Sequence, residues 1–522
     1  MYHRLQNLFL KGETDLRKAM KGIPPEVTVL DLSANSLDGD NLLTILSSIP
    51  SSVERLDLSC NNFGGKEIRK LAEAIARIPL SVTKLCLGGN NLAQKSVANL
   101  KILLAAIGQG VTELYLDNND FWKKRPDDLA NILGAMPSSV KKLDLSNNGF
   151  HNMEAGGLAR AIGAIPPSVT ELDLGKNEFH KITDLELASV LAAGKHIRSL
   201  GLSWNDFGDR ISGLTFAISA IPPNVSFLDL SAINLSKPSV GDLKALLAAI
   251  PKGVKELCLR LNQLGFKKAQ LAEVFASIPP SVTFLDLNSN CLNILSSADL
   301  KIALAAMPEG VRTLDLKVND FDNKTDAQWI QLLSSSPFVH QVIVHNRIIN
   351  KFELYANQLL AQIEQLLLND PQALVTSIKP DFEIDEVAMS RIIDILEKKK
   401  TSAAYLVCAM LLDYSIQNVM RGEGPENQEK YDEKRSYDAV TFYEKAIKII
   451  SSREIQDIVS SKVLKIKESD KLAPSLRQHW GKISSPKNLL LNYSLFHQGI
   501  LGVSLYHHEQ PMSDPVSSDF VL

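Results

Sequence analysis

Covalent or metal chemistry in this chain would depend on its five cysteines and ten histidines. Cys408 lies in the apolar run Ala403–Leu412, which predicts a buried thiol with a raised pKa and low nucleophilicity. No Cys-x-x-Cys pair is present, and His340 and His345 lack the accompanying set of Asp and Cys that a metal site needs. No phosphate-binding loop of the Gly-x-x-x-x-Gly-Lys-Ser/Thr type occurs. The sequence therefore predicts no catalytic residue, no metal site and no cofactor.

Aromatic and arginine side chains at outward positions favour binding chemistry instead. The candidate partner-binding residues are Tyr115, Trp204, Phe227, Arg260 and Phe284. Tyr, Trp and Arg supply much of the binding energy at protein interfaces. Trp and Phe side chains left in water are unfavourable unless they meet a partner or pack on one another. We predict that the last four residues lie within roughly 15–20 Å of each other on neighbouring strands.

A repeated phrase must position these side chains. At Val169 it reads Val-Thr-Glu-Leu-Asp-Leu-Gly-Lys-Asn-Glu-Phe, and it recurs every 26 to 29 residues. Apolar residues at offsets 0, 3, 5 and 10 from its first residue predict a strand, and a return helix follows at helical spacing. A fixed period of this length predicts a solenoid. Repeats one to twelve begin at Val27, Val53, Val82, Val111, Val140, Val169, Ile197, Val225, Val254, Val282, Val311 and Val339.

The predicted fold class is α/β, a horseshoe with parallel strands on the concave side and helices on the convex side. Asn occupies offset 8 in ten of the twelve repeats. An amide side chain donates and accepts at once, so a stack of these residues would satisfy backbone groups where the chain bends. Ile233 and Arg347 take this place in repeats eight and twelve, which predicts an irregularity at the first and the end of the array at the second.

Two further features leave alternatives open. Offset 4 is acidic in seven repeats, which is consistent with a stripe for a basic partner or with a structural Asp that bonds to nearby polar groups. These residues are Asp31, Asp57, Asp144, Asp173, Asp229, Asp286 and Asp315. Trp122 follows the core position Phe121 in a loop of repeat four. We count it as a sixth partner-binding candidate, the alternative being a Trp packed within the loop.

Composition excludes several classes of protein. A net charge of −3 over 522 residues lacks the basic field of a nucleic-acid binder. No run of about 18 apolar residues is present, so no membrane span is expected. Charged residues within 1–21 break any signal-peptide core. An odd number of unpaired cysteines indicates reduced thiols in a cytosolic setting. We expect a monomer that binds a protein.

Periodicity also sets the expected domains. Residues 1–22 should form a helical cap, since a solenoid exposes the core of its first repeat. Residues 23–349 hold the repeats, and 350–506 should form a helical domain in which the apolar segment around Cys408 is central. Residues 507–522 contain two Pro and three Ser, which predicts a disordered tail.

The repeats resemble the ribonuclease-inhibitor-like class of leucine-rich repeats. The phrase Ile-Pro-Pro-Ser-Val-Thr-x-Leu-Asp-Leu, at Ile165 and again at Ile278, is more specifically similar to leucine-rich-repeat effectors of Legionella. That resemblance implies delivery into the host cytoplasm through the Dot/Icm type IV secretion system. Secretion signals of that family lie at the C-terminus, and the Ser- and Asp-containing tail that ends at Phe520-Val521-Leu522 fits them loosely.

Three functions follow as hypotheses. The first is a scaffold that binds a host protein on the concave face. The second is an enzyme in the helical domain, such as a ubiquitin ligase. Secreted leucine-rich-repeat ligases use a Cys-x-Asp motif, which Cys408-Ala409-Met410 does not match. The third is a regulator of a host small GTPase, since Ran GTPase-activating proteins share this repeat class. We favour the first.

Overall fold

Short strands and return helices alternate throughout the repeats. The computed structural model describes residues 1–8, 11–37, 39–154, 156–369 and 386–417, and further along the chain 438, 439, 441–443, 445, 446, 456, 459 and 460. The chain divides into two compact units, Met1–Leu354 and Tyr355–Leu522. This division falls five residues after the boundary expected at 349, and the tail 507–522 lies outside the described residues.

Each repeat contributes one strand of three residues at offsets 2 to 4. The strands are β1 (Tyr2–Arg4), β2 (Val29–Asp31), β3 (Arg55–Asp57), β4 (Lys84–Cys86), β5 (Glu113–Tyr115), β6 (Lys142–Asp144), β7 (Glu171–Asp173), β8 (Ser199–Gly201), β9 (Phe227–Asp229), β10 (Glu256–Cys258), β11 (Phe284–Asp286), β12 (Thr313–Asp315), β13 (Gln341–Ile343) and β14 (Ile348–Asn350). They form one open sheet in sequence order. The predicted parallel repeat sheet is confirmed for β2 to β13.

Helices follow the strands, in most repeats after a short 3-10 turn. They are α1 (Glu13–Lys21), α2 (Gly39–Leu46), α3 (Ile68–Ile75), α4 (Val97–Ala105), α5 (Pro126–Leu133), α6 (Gly157–Gly163), α7 (Asp184–Ala193), α8 (Ile211–Ile218), α9 (Val240–Ala248), α10 (Leu271–Phe275), α11 (Ser297–Ala305), α12 (Asp326–Leu333), α13 (Lys351–Asn369), α14 (Glu386–Lys399) and α15 (Ser402–Gln417). Among the described residues, no helix has the length and apolar character that a bilayer span requires.

The two ends of the sheet differ from the prediction. The expected helical cap begins with β1, which pairs in parallel with β2, and only then continues into α1. None of its three residues is buried, so pairing with β2 defines them as a strand. At the other end β14 pairs with β13 in the antiparallel direction. The repeats therefore end in a hairpin.

The asparagine stack has the predicted geometry. In repeat five the backbone N–H of Asn148 donates to Asn177 Oδ1 over 2.9 Å. The Nδ2 group of Asn148 donates to the carbonyls of Leu116 and Leu145 over 3.1 and 3.0 Å. All ten side chains at this offset are buried. They are Asn35, Asn61, Asn90, Asn119, Asn148, Asn177, Asn205, Asn262, Asn290 and Asn319.

A second ladder, at offset 13, was not predicted. Cations there reach back to the loop carbonyls of the preceding repeat. Lys95 Nζ lies 2.5 Å from the Lys66 carbonyl, and Lys267 Nζ lies 2.7 Å from that of Ser236. Burial lowers the pKa of both amines. These hydrogen bonds tie the loop of each such repeat to the loop of the preceding repeat.

Candidate functional site

The face of the sheet opposite the helices, here called the open face, carries the predicted aromatic pair. Phe227 and Phe284 each pair in register with Glu256, which lies on the strand between them. Both rings are half-buried, whereas Glu256 is exposed. Two strand spacings place the rings about 10 Å apart. Adjacent repeats thus present a carboxylate between two aromatic side chains.

A polar network lies two residues further along the same strands. The Ser231 hydroxyl contacts both the Asp229 carboxylate and, at 3.1 Å, the Cys258 sulfur. The Cys258 thiol donates to Asp286 Oδ2 over 3.5 Å, and Arg260 Nε lies 3.5 Å from the same oxygen. Burial raises the pKa of Cys258 far above its usual range. The thiol is therefore protonated and donates a hydrogen bond. The network forms an ordered polar region on the open face.

Trp204 does not join the phenylalanine pair. Register places Ser199, at the start of β8, beside Phe227, and Trp204 follows Ser199 by five residues. Its backbone φ is +59°, and its side chain is 53% exposed with Lys176 Nζ 5.6 Å from the ring centroid. The prediction of a compact cluster counted only the distance between neighbouring strands and not the distance along each strand. Trp204 and Arg260 lie three and two residues past the ends of β8 and β10, whereas each Phe is the first residue of its strand.

The other two candidates are held by neighbours. The Tyr115 hydroxyl donates to Glu113 Oε2 over 2.7 Å, and the Arg55 guanidinium lies 5.3 Å from the ring centroid. Trp122 is half-buried, and a Cβ on Gly149 of the next repeat would lie 2.6 Å from its Cδ1. This contact agrees with the packed alternative for Trp122. Both residues lie in repeat four, away from the pair in repeats eight and ten.

The acidic row at offset 4 has a structural role. In all seven repeats the Asp Oδ1 accepts the backbone N–H two residues later, over 2.8 to 3.0 Å. These bonds hold the turn that follows each strand. Asp173 is the most perturbed: burial, reinforced by the charge of Asp144, raises its pKa to about 6. Its carboxylate lies over Gly201, where an added Cβ would approach Oδ1 to 2.8 Å.

Comparisons with known proteins agree with this repeat geometry. The Leucine Rich repeat family model matches residues 50–72. The leucine-rich repeat-containing protein LegL7 from Legionella pneumophila is 32% identical over 59% of this chain and 89% of its own, with a TM-score of 0.48. The chain is a leucine-rich-repeat protein.

Two further comparisons complete this description. A chain of the yeast Rad7 and Elc1 complex is 14% identical over 65% of this leucine-rich-repeat protein and 89% of its own length, with a TM-score of 0.33. No significant match is found among curated proteins.

Sequence reasoning missed two exposed residues of this leucine-rich-repeat protein. Leu261 and Val318 are 45% and 60% exposed. They occupy offset 7 in repeats nine and eleven, as Trp204 does in repeat seven. Ala232 and Ser289 take that offset in the repeats between. We call these five residues the apolar rim. Comparing one offset across successive repeats would have found it, whereas a search for aromatic residues and Arg did not.

Three thiols of the leucine-rich-repeat protein, those of Cys86, Cys258 and Cys408, are buried, whereas Cys60 is exposed and Cys291 is half-buried. Cys408 is fully buried in α15, and burial raises its pKa far above the usual range. Within the described ranges, no three His, Cys, Asp or Glu side chains come close enough to hold a metal ion. The arrangements that the described residues do provide are preformed surfaces for binding.

Proposed function

We propose that this leucine-rich-repeat protein is a bacterial effector that binds a host protein on the open face of its repeats. We propose further that it enters the host cytoplasm through a type IV secretion system. The repeat phrase at Ile165 and Ile278, together with 32% identity to a Legionella pneumophila repeat protein, supports the bacterial setting. The route of delivery rests on the resemblance alone.

The observation that carries the binding proposal is the alignment of Phe227, Glu256 and Phe284 on adjacent strands. Two half-buried rings about 10 Å apart offer apolar area that a partner would bury. The exposed carboxylate between them favours a partner segment with a cation between two apolar side chains. Strand pairing fixes the spacing before binding, so little ordering cost opposes association.

A scaffold without catalysis fits the buried thiols of Cys258 and Cys408. Burial keeps the Cys258 and Cys408 thiols protonated, and a protonated thiol is a poor nucleophile. The acidic row bonds to its own backbone. We therefore propose that binding is the activity of the described repeats.

A host-lysate capture experiment tests the binding face. Full-length protein and the Phe227→Ala/Phe284→Ala variant would be used as baits, with mass spectrometry as the readout. We expect the double variant to lose the dominant partner by at least about tenfold, in the range of interface hot spots. Phe216→Ala is the control, because Phe216 is an exposed Phe that lies on helix α8, away from the open face. Equal capture by all three proteins would contradict the proposal.

Delivery requires a separate experiment. A translocation reporter fused to the full chain should signal in infected host cells, and the signal should vanish in a bacterial strain without the type IV system. A signal that persists in that strain would exclude this route while leaving the binding proposal intact.

A further inference from the structure

The apolar rim is a continuous row fixed by backbone hydrogen bonds. The N–H of Trp204 donates to the Ser231 carbonyl over 3.0 Å, and that of Leu261 donates to the Asn288 carbonyl over 3.1 Å. The same bond recurs at Ala232, over 2.8 Å. Each member therefore sits one strand spacing from the next, and the row is in place before any ligand arrives.

Large side chains at this offset are unfavourable for two reasons. The backbone is left-handed there, with φ of +57° at Leu261 and +52° at Val318. This region is costly for residues with a Cβ and most of all for a β-branched one. The side chains are also in water. Repeats three to five place Gly89, Asn118 and Asn147 at the same offset, residue types that tolerate this backbone.

The spacing of the rim matches an α-helix. Trp204, Leu261 and Val318 lie two strands apart, or about 10 Å, with the smaller Ala232 and Ser289 between them. Seven residues of an α-helix advance about 10.5 Å. A helix that crosses the strands can thus place every seventh side chain in the hollows above Ala232 and Ser289. An extended peptide repeats its side chains on one face every ~6.7 Å and does not match.

On the flank that precedes the rim, the charges are cationic on their outer side, whereas the exposed Asp206 and Asp320 follow Trp204 and Val318 on the other flank. Arg260 directly precedes Leu261, and Lys317 directly precedes Val318. Their side chains are 49% and 39% exposed, whereas their ion-pair partners Asp286 and Asp315 are only 13% and 10% exposed. A ligand on the rim therefore meets the two cations before the carboxylates. Lys176, over the Trp204 ring, extends this positive side.

We propose that the apolar rim docks an amphipathic α-helix of a partner protein, with apolar side chains every seven residues and acidic residues along the adjoining flank. The proposal rests on the proposed function only in treating the chain as a protein-binding module. It identifies a second contact surface, distinct from Phe227 and Phe284.

A pair of labelled peptides tests it. One is an alanine-based helix of about 20 residues with Leu at every seventh position and Glu beside each Leu; the other replaces each Glu with Lys. Fluorescence anisotropy with the full-length protein should show at least tenfold tighter binding of the glutamate peptide. Leu261→Glu/Val318→Glu should reduce that binding by at least tenfold. Ile302→Glu, an equally exposed site on helix α11, should leave it unchanged.

Equal binding of the two peptides, or unchanged binding to the Leu261→Glu/Val318→Glu variant at an unchanged melting temperature, would overturn the proposal. Two further measurements distinguish a partner helix from other ligands of the apolar rim. Self-association in sedimentation that the double variant abolishes would replace the partner helix with a second copy. Binding to phosphatidylserine vesicles that the same variant abolishes would replace it with a membrane. If the peptide experiment contradicts docking at the rim but Phe227→Ala/Phe284→Ala still loses the host partner, the proposed function is supported and the helix-docking proposal is rejected.

Discussion

The backbone N–H of Ile233 donates to Asn262 Oδ1 over 3.0 Å, yet Ile233 has no side-chain carbonyl to offer the preceding repeat. Two repeats earlier the relationship is complete, since the Asn177 N–H donates to Asn205 Oδ1 over 2.9 Å. The amide ladder is therefore interrupted between repeats seven and eight. The N–H groups of Asn205 and Phe207 lose the acceptor that equivalent groups have elsewhere.

Ile233→Asn should restore the ladder. An amide at this buried position would accept from Asn205 and Phe207 and donate to carbonyls as its neighbours do. We expect the free energy of unfolding to rise by about 1 kcal/mol. Ile233→Ala, the control, should lower it by about 2–5 kcal/mol because it leaves a cavity. Urea denaturation measures both, and an asparagine variant less stable than wild type would show that lost apolar burial outweighs the restored bonds.

Asn148→Ala should destabilise the protein. The substitution removes the acceptor for Asn119 and the donor for two buried carbonyls. We expect a loss of about 1–3 kcal/mol, measured by thermal unfolding. The exposed Asn152, in the following turn, provides the control, and Asn152→Ala should change stability by less than about 0.5 kcal/mol. Equal melting temperatures for the two variants would contradict a structural ladder.

Asp173 and Asp31 share a row but should respond oppositely to pH. Burial and the charge of Asp144 raise the pKa of Asp173 to about 6, so its folded-state pKa exceeds the unfolded one. The stability it contributes is present below about pH 4 and is lost as pH rises through about 6. Asp173→Asn should thus stabilise at pH 7, by on the order of 1–3 kcal/mol, and flatten the change between those values.

Asp31 provides the opposite case. Burial would raise its pKa, but hydrogen bonds from Ser33 and Tyr2 outweigh burial and lower it. Its contribution is therefore present above the unfolded pKa and is lost as pH falls through the folded value. Asp31→Asn should destabilise at pH 7. Melting temperatures across pH 3 to 8 measure both variants, and shifts of the same sign at pH 7 would refute this account.

Val318→Asn should stabilise the free protein. Asn tolerates the left-handed backbone that Val occupies at φ +52°, and little burial is lost because Val318 is exposed. We expect a gain of about 0.5–1.5 kcal/mol in urea denaturation. The reciprocal change, Asn147→Val, starts from the same φ and should cost a similar amount. A loss of stability in Val318→Asn would mean that the valine packs in the folded protein.

The fold could be predicted from the repeat period and the pattern of apolar residues, because each repeat buries the side chains at the same offsets. In repeat five Val140, Leu143 and Leu145 are fully buried, as their spacing predicts. Strand β1 could not be predicted, since Tyr2–Arg4 buries no side chain and depends on pairing with β2. The cations at offset 13 were missed because a Lys in a loop is expected to be exposed to solvent. Here the ammonium group donates hydrogen bonds to backbone carbonyls of the preceding repeat.

The candidate surfaces were predicted in part. Outward placement of Phe227 and Phe284 followed from strand alternation. The grouping of these residues with Trp204 could not be predicted from repeat number alone, because residues at different offsets are also separated along the strand direction. Leu261 and Val318 resemble core residues by type, and only the left-handed turn after each strand leaves them in water.

The antiparallel strand β14 determines how copies of this molecule can associate. A stack of identical parallel units has matching ends, so the edge of one copy could accept the first strand of another and build a head-to-tail filament. Here a hairpin covers the last repeat strand, β13, so that β1 of a second copy cannot continue the parallel order. The hairpin thus acts as a stop against open-ended polymerisation.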